Sequence, residues 1–302
     1  MIKRTLFFGN PAYLSLRNCQ LVVRLTDADT HQETEKTVPI EDIGVVVLED
    51  RQITITNAAI DALLQNGCAL ITCDEKHMPA GLMLPLEGHT LQSERFQAQI
   101  EASLPLRKQL WQQTVQAKIH NQASVLSRLR GTEVGCMKAW ESDVRSGDAD
   151  NLEGRAAAYY WKHMFDEHFT REREGDAPNS LLNYGYAIVR AVVARSLVAS
   201  GLLPTLGIHH HNRYNAYCLA DDIMEPYRPY VDELVVKIIE SGEDCSELTT
   251  NLKRQLLSLP VTEVVINGQR SPLMVAAQQT TSSLAKCYGG ELRKVAYPVM
   301  EL

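Results

Sequence analysis

Residues 44–48 read GVVVL, a continuous apolar run that contains three β-branched valines. A run of this kind is typical of a strand that is buried on both faces of a sheet. Shorter alternating or β-branched segments lie on either side of it, and turn residues separate them. These predicted strands cover residues 4–8, 13–16, 20–25, 36–40, 53–56 and 68–73. With one short helix predicted over residues 57–65, the beginning of the chain is expected to fold as a small β-rich domain.

The character of the sequence changes between residues 78 and 89, where prolines and glycines cluster as they do in linkers. From residue 90 onward, apolar residues follow helical spacing. Helices are predicted over residues 94–115 and 116–130, and a further long helix is capped by Ser180 and followed by Gly201. The predicted fold class is therefore α+β, with a β-rich N-terminal domain (1–77), a linker (78–89) and a larger all-α C-terminal domain (90–302).

Composition restricts the class of protein. At 302 residues and 45% hydrophobic content, the chain can fill a sizeable core. The net charge of −7 argues mildly against an obligate nucleic-acid coat protein, although a local basic face matters more for DNA binding than the total charge. Residues 251–302 contain six lysines and arginines but three glutamates, so this stretch is locally basic. If DNA is the partner, we expect it on the second part of the chain.

Nothing in the sequence predicts secretion or membrane insertion. The N-terminus lacks the apolar stretch of a signal peptide, and seven scattered cysteines suit a reducing cytoplasm better than a disulfide framework. The most apolar long stretch, residues 184–203, is interrupted by Arg190 and Arg195, which would be costly to place in lipid. We therefore expect cytoplasmic localisation and no membrane partner.

The densest polar chemistry lies in residues 207–229. Three adjacent histidines at 209–211 follow a helix stop, and Asp222 and Glu225 are three positions apart, on one face of a helical turn. One imidazole with two carboxylates favours a divalent cation such as Mn²⁺ while still admitting Mg²⁺. The alternative remains open at this stage, because a histidine run can be exposed and acidic pairs often solvate or cap a helix.

A rival cluster lies further upstream in the chain. It consists of His163, Asp166, Glu167 and His168. Histidines five positions apart diverge on a helix, so His163 and His168 are not expected to bind one metal ion together.

Four motifs of the second half carry a resemblance to a known family. They read EGRAAAYYW at 153–161, NYGY at 183–186, GIHH at 207–210 and DIMEPYRP at 222–229. In this order and spacing they resemble the Cas1 family of CRISPR adaptation integrases. Residues 38–48 are similar to that family's N-terminal domain, so the resemblance covers nearly the whole chain. The EPYRP ending most resembles members from type II systems.

The resemblance implies which residues carry the chemistry. Glu153, His210 and Glu225 match the family's catalytic ligands for one Mg²⁺ or Mn²⁺ ion, and Asp222 matches an acidic position that supports the metal or its ligands. Gly207 sets the Gly-x-x-His register that selects His210, whereas its two histidine neighbours fall outside it. Many members carry Asp where this chain has Glu225, which is a modest departure.

The resemblance also implies a reaction and partners. The 3′-hydroxyl of a short DNA duplex, the prespacer, would attack a phosphodiester in the leader-proximal CRISPR repeat by transesterification. A homodimer formed through the N-terminal domain would join a small dimeric Cas2 protein in a heterohexamer, with other type II adaptation proteins as further partners. Residues 44–48 could belong to that dimer surface or to internal core.

Basic residues near the motifs and in the last stretch are candidates for DNA phosphate contacts. They are Arg213, Arg228, Lys253 and Arg254. Tyr184 and Tyr186 are expected to pack in the core. Two other function classes stay open, namely a metal-dependent nuclease that only hydrolyses DNA and a non-catalytic DNA-binding adaptor.

Overall fold

The structure is a computed structural model, and it describes residues 3–26, 33–165, 169–172 and 175–301. Asp166, Glu167 and His168 of the rival histidine cluster lie outside the described residues. The chain divides into two compact units, Met1–Gly88 and His89–Leu302. Strands dominate the first unit and helices the second, as the predicted α+β class requires.

The first unit contains eight described strands and one α-helix. The strands are β1 (Arg4–Phe8), β2 (Tyr13–Arg17), β3 (Gln20–Thr26), β4 (Glu33–Pro39), β5 (Ile43–Leu48), β6 (Thr54–Ile55), β7 (Ala69–Cys73) and β8 (Pro79–Met83), and the helix is α1 (Asn57–Gln65). One sheet has the order β1-β5-β7-β8 and the other β4-β3-β2-β6. The predicted helix over 57–65 is confirmed, and Thr56 caps it by accepting the N–H of Ala59 at 3.3 Å.

Strand β5 lies at the centre of its sheet, paired in parallel with β1 and β7. Val45, Val46 and Val47 are completely buried. The prediction of a strand covered on both faces is therefore confirmed. Of the two roles considered for residues 44–48, the three valine side chains take the internal one, because all three are buried within the chain.

The predicted linker at 78–89 is wrong over part of its length. Residues 79–83 form β8, which pairs antiparallel with β7, so the compact first unit continues to Gly88. Pro79 and Gly81 concealed the strand from the sequence pattern, since both residues usually interrupt sheets. Here Gly81 leaves room for the side chain of Thr72 on β7, because an added Cβ would lie 2.3 Å from its Oγ1.

The second unit is built from nine described α-helices and one hairpin. The helices are α2 (Gln92–Ile100), α3 (Leu104–Arg130), α4 (Gly135–Asp143), α5 (Leu152–Met164), α6 (Asn179–Ala199), α7 (Cys218–Met224), α8 (Arg228–Glu240), α9 (Thr250–Leu256) and α10 (Leu273–Tyr288). The hairpin strands are β9 (Glu263–Ile266) and β10 (Gln269–Pro272).

The hairpin corrects the prediction that this domain is all-α. Asn267 and Gly268 connect its strands, and both have positive φ, as a tight two-residue hairpin turn requires. An Asn-Gly pair directly after the β-branched run 264–266 is a strong hairpin signal in the sequence. The helical periodicity on either side concealed it.

Two helix boundaries also differ from the predictions. Instead of breaking at 115–116, the chain breaks between Ile100 and Leu104, where Ser103 caps α3 and Pro105 occupies its first turn. Helix α6 begins at Asn179, one residue before the predicted cap Ser180. By length and composition α6 could cross a membrane, but 72% of its most apolar window is buried inside the protein, as in a core helix.

Helices α6 and α8 approach each other closely at Gly185, where an added Cβ would lie 2.4 Å from Cγ1 of Val231. We predict that Gly185→Ala lowers the free energy of unfolding of the second unit by about 1–3 kcal/mol, because the methyl group overpacks this contact. Guanidinium unfolding followed by tryptophan fluorescence measures the change, since Trp111, Trp140 and Trp161 all belong to this unit.

The matched control is Gly135→Ala in α4, where an added Cβ meets no atom within 4 Å. This variant is expected to be unchanged or up to about 1 kcal/mol more stable, because alanine restricts the unfolded chain. Equal unfolding midpoints for the two variants would contradict the close α6–α8 contact.

Candidate metal centre

Glu153 lies in the first turn of α5, and the residues before it fix the start of that helix. Asn151 adopts φ 51° and accepts the N–H of Gly154 at 3.3 Å. The carboxylate of Asp148 accepts the N–H groups of Leu152 at 2.9 Å and Glu153 at 3.0 Å. These caps satisfy helix N–H groups that have no partner within the helix. The side chain of Glu153 is thereby held at the helix start, with 22% of its surface exposed.

Glu225 follows α7 and begins a short 3₁₀ turn, Glu225–Tyr227, that leads into α8. Its carboxylate is buried and has two cationic partners. Oε2 lies 2.6 Å from Nζ of Lys118 on α3, and Oε1 lies 2.9 Å from Nε of Arg228. Burial alone would raise the pKa of Glu225, but Arg228 and Lys118 hold it below its usual value. Glu225 is therefore an ionised carboxylate inside the helical unit.

Lys118 brings the two glutamates together. Its Nζ lies 2.6 Å from Oε1 of Glu153 and 2.6 Å from Oε2 of Glu225, while the residue itself is only 8% exposed. Burial alone would lower the pKa of Lys118, but Glu225 and Glu153 raise it above its usual value. Two carboxylates from different helices thus converge on one positively charged point.

His210 is oriented by Asp222, which is completely buried. Oδ2 of Asp222 accepts the backbone N–H groups of Ile208 at 2.7 Å and His209 at 3.0 Å. Oδ1 accepts the N–H of His210 at 3.3 Å and lies 2.5 Å from its ring Nδ1. With Nδ1 engaged, Nε2 is the ring nitrogen that can bind a ligand.

His210 is close enough to the two glutamates to interact with them electrostatically. The hydrogen bond to Asp222 raises the pKa of His210 above its ordinary value of 6.5, and Glu225 and Glu153 add to that effect against the cost of burial. Its neighbour His209 has a different environment, since its ring stacks on Trp111 with centroids 4.2 Å apart and an interplanar angle of 3°. Burial lowers the pKa of His209.

Gly207 explains the spacing of the Gly-x-x-His motif. A Cβ at this position would lie 2.4 Å from the carbonyl oxygen of His210 and 2.8 Å from Oδ2 of Asp222. The backbone of residues 207–210 can wrap around the carboxylate of Asp222 only because residue 207 has no side chain. The Gly-x-x-His motif therefore fixes the orientation of the His210 imidazole.

The donor set of this cluster fits a divalent cation. Two carboxylates converge on one cationic point, and His210, which interacts electrostatically with both, would supply Nε2 in its neutral form. Within the described ranges, no three His, Cys, Asp or Glu side chains are arranged to hold a metal ion as they stand. In this arrangement the ammonium of Lys118 supplies the positive charge between the carboxylates.

Asp222 was open to two roles, as a further ligand or as a support for one. Its oxygens accept three backbone N–H groups and contact the ring of His210, so they are saturated from within the protein. The geometry favours the supporting role. Such a carboxylate fixes the ring orientation of a histidine and makes it a better donor.

The four candidates for DNA contacts divide into two groups. Arg213 and Arg254 are exposed, with the guanidinium of Arg213 lying 4.6 Å from the ring centroid of Tyr214. Lys253 is only 5% exposed, which disfavours the predicted contact of its side chain with DNA phosphates at the surface.

Arg228 forms an ion pair with Glu225 and lies over the ring of Tyr186 at 4.7 Å. It therefore compensates an internal carboxylate, and because 29% of its side chain is exposed, its contact with DNA stays a prediction. Tyr184 and Tyr186 are buried, which confirms that they pack in the core.

The sequence did not predict two buried charged residues of this part of the protein. Lys118 interrupts the buried face of α3, whose neighbouring apolar positions are Val115 and Ile119, and a lysine in that place could have indicated an internal carboxylate partner. Asp232 on α8 is the second, and it is 1% exposed. It accepts hydrogen bonds from the hydroxyls of Tyr160 and Tyr186 and so ties α5, α6 and α8 together. No local sequence signal distinguishes Asp232 from a surface carboxylate.

Comparison with known proteins identifies relatives over most of the chain. The sequence profile of the family described as CRISPR associated protein Cas1 matches residues 6–258. A CRISPR-associated endonuclease Cas1 from Neisseria meningitidis serogroup C (strain 8013) is 39% identical over 285 residues, which are 94% of this chain and 91% of that protein.

Two solved structures share the fold. A casposase bound to integration product aligns with a TM-score of 0.79 at 22% identity, covering 98% of this chain and 92% of the casposase. A chain of a Cas6-RT-Cas1–Cas2 complex aligns with a TM-score of 0.76 at 20% identity, covering 99% of this chain and 36% of that longer chain.

The hydrogen bond from His210 to Asp222 is testable by titration. We predict that Asp222→Asn lowers the pKa of His210 in the metal-free protein, because the amide removes the charge that stabilises the imidazolium. Nuclear magnetic resonance of the imidazole C–H signals measures this pKa. In the native protein the pair stabilises the fold fully below pH of about 6.5, and this contribution is lost as pH rises through the higher folded pKa.

The control variant is Asp221→Asn, which removes the adjacent carboxylate. Asp221 pairs with Arg190 at 2.6 Å and makes no contact with His210, so the pKa of His210 is expected to stay at its native value. An unchanged His210 pKa in Asp222→Asn would contradict the described pair.

Proposed function

This chain belongs to the Cas1 family of CRISPR-associated proteins, and we propose that it is a divalent-metal-dependent DNA integrase of CRISPR spacer acquisition. Three findings support a nuclease or integrase role. The profile match covers most of the chain, the Neisseria relative is named an endonuclease, and the fold is one that a casposase has while bound to integration product.

One observation carries the proposal of metal dependence. The carboxylates of Glu153 and Glu225, from different helices, meet at a single point occupied by the ammonium of Lys118. Glu153, Glu225 and Nε2 of His210 would hold the Mg²⁺ or Mn²⁺ ion. A bound divalent ion in such a site polarises a phosphodiester and stabilises charge on the attacking and leaving oxygens.

The protein's own residues position these three groups. Asp222 holds the ring of His210 through Nδ1, and Gly207 allows the backbone to close around that carboxylate. Arg228 holds Oε1 of Glu225 and is itself supported by the ring of Tyr186. Asp148 and Asn151 fix the start of the helix that carries Glu153. Ligand positions are thus set before any substrate arrives, which a phosphoryl-transfer site requires.

The proposed reaction is a transesterification. A DNA 3′-hydroxyl attacks a phosphodiester in the leader-proximal repeat, so that one P–O bond forms as another breaks and the leaving strand departs with a 3′-hydroxyl. Because one phosphodiester replaces another, no external energy source is needed. The exposed side chains of Arg213 and Arg254 and the partly exposed side chain of Arg228 remain candidates for contacts with the DNA backbone.

We further propose the assembly in which the reaction occurs. The protein would act in the cytoplasm as a homodimer formed through its N-terminal unit, and two such dimers would flank a Cas2 dimer in a heterohexamer. The structural similarity to a chain of a Cas6-RT-Cas1–Cas2 complex supports the Cas2 partnership. The EPYRP sequence at 225–229 favours a type II system, in which other adaptation proteins would also bind.

Hydrolysis of DNA is the second candidate activity. It is favoured by the name of the Neisseria relative, an endonuclease. Water would replace the 3′-hydroxyl as nucleophile while the same three side chains held the ion. Integration produces strands joined to the repeat plasmid, whereas hydrolysis produces only cleaved strands, so one gel assay separates the two activities.

We predict that Glu153→Ala, His210→Ala and Glu225→Ala each fold but lose integration, with Glu225→Ala the least stable of the three because it removes a carboxylate partner from the buried Lys118. Joining of a labelled DNA end into a supercoiled plasmid carrying the repeat should fall about a hundredfold or more, the range for removal of a single transition-state-stabilising group. Circular dichroism of each purified variant verifies its fold. The matched control is Glu133→Ala, which removes an exposed carboxylate that is not one of the proposed ligands and should join DNA at the native rate.

Native rates of joining in any of the three alanine variants would show that the site is wrongly assigned. Joining that persists in a chelator would exclude metal dependence. An adaptor without catalytic activity would produce neither joined nor cleaved strands in the native protein.

A further inference from the structure

Lys118 is a cation enclosed within the candidate metal centre. It occupies the middle of α3 on a face that also carries the buried residues Val115, Ile119 and Gln122. The residue is 8% exposed, and its ammonium has two carboxylate partners, each at 2.6 Å. A lysine is almost never buried without such pairing, because its charged form is costly away from water. Its position therefore depends on the two glutamates.

Glu225 also contacts Arg228, but the two cations differ in how firmly they are held. The guanidinium of Arg228 lies 4.7 Å from the ring centroid of Tyr186, and its Nε contacts the other oxygen of Glu225. It can stay in place when a ligand approaches Oε2. Lys118 has a compact ammonium on a flexible four-carbon chain. Within the part of the chain that the structure describes, the partners of this ammonium are the two carboxylates that the metal needs. Lys118 is the group that must give way.

We propose that Lys118 is a built-in competitor of the divalent cation for Glu153 and Glu225. In the metal-free protein its ammonium holds the two carboxylates together and neutralises part of their charge. When the cation binds, the ammonium leaves the point between them. This inference rests on the proposed metal centre and assigns a positioning role to a residue outside the ligand set.

The competition predicts the direction in which the metal affinity changes when the ammonium is removed. Without the ammonium, the two carboxylates would keep their full negative charge and attract a doubly charged ion more strongly. A charged partner at this distance changes a neighbouring ionisation equilibrium by about tenfold or more, and metal binding to the same oxygens should change on a similar scale. Lys118 thus lowers the metal affinity of the free protein and, at the same time, stabilises its metal-free fold.

Calorimetric titration of the chelator-treated, desalted protein with Mn²⁺ tests this inference in the absence of DNA. Lys118→Met keeps most of the length of the unbranched side chain and removes its charge. We expect its Kd for Mn²⁺ to be about tenfold or more below that of the native protein. The metal-free variant should melt at a lower temperature than the native protein, and Mn²⁺ should raise its Tm by more.

The matched control is Lys108→Met, an exposed lysine on the same helix, which should bind Mn²⁺ with the native Kd. If native protein and Lys118→Met bind Mn²⁺ equally well, or if the variant binds it more weakly, the inference is wrong while the metal centre stands. If neither protein binds Mn²⁺, the metal centre itself is wrong and the inference falls with it.

A second measurement on the native protein covers the case in which Lys118→Met does not fold. The ammonium resonance of Lys118, assigned in nitrogen-15-labelled protein, reports its environment. Titration with diamagnetic Mg²⁺ should shift or broaden this resonance as the buried pairs open. A resonance that stays unchanged while Mg²⁺ saturates the site would overturn the inference.

Discussion

Carboxylates buried in a helical protein must be paired with cations or hydrogen-bond donors, because an isolated ionised group is costly away from water. The second unit buries Asp222 and Glu225 one helical turn apart and satisfies them in opposite ways. Asp222 is surrounded by N–H groups of a single loop, whereas Glu225 is paired with side-chain cations from α3 and α8. The N–H groups hold the carboxylate of Asp222 rigidly in place. The carboxylate of Glu225 is instead paired with cations, one of which an incoming metal ion can replace.

This difference connects the fold to the proposed chemistry. The loop around Asp222 fixes where the ring of His210 points, and the bridge through Lys118 fixes how closely α3, α5 and the segment after α7 approach one another. Behind the cluster, Asp232 joins Tyr160 of α5 to Tyr186 of α6. Motifs that are far apart in the sequence are thus linked by buried polar contacts, which are demanding about distance and so favour one arrangement of the helices.

The sequence predicted features whose cause is local. The buried strand at 44–48 and the helix over 57–65 follow from composition and capping, and the α+β class follows from the change in periodicity. The resemblance selected His210 among three histidines, and Gly207 now gives the physical reason. The sequence did not predict the features that depend on tertiary contacts. These are β8, the ion pair of Arg228 with Glu225, the burial of Lys253 and above all the bridge through Lys118, whose carboxylate partners lie 35 and 107 positions away along the chain. Two of the unpredicted features had a local signal, namely the Asn267-Gly268 pair of the hairpin and the position of Lys118 among apolar residues of α3.

The central claim is that Glu153, His210 and Glu225 bind one divalent cation. Anomalous X-ray diffraction from crystals soaked in Mn²⁺ tests it most directly, because the signal locates manganese independently of any assumed ligand. We predict one peak at about 2 Å from a carboxylate oxygen of each glutamate and from Nε2 of His210, with the ammonium of Lys118 displaced. A centre without manganese, or manganese bound elsewhere while Lys118 still bridges the two glutamates, would contradict the claim.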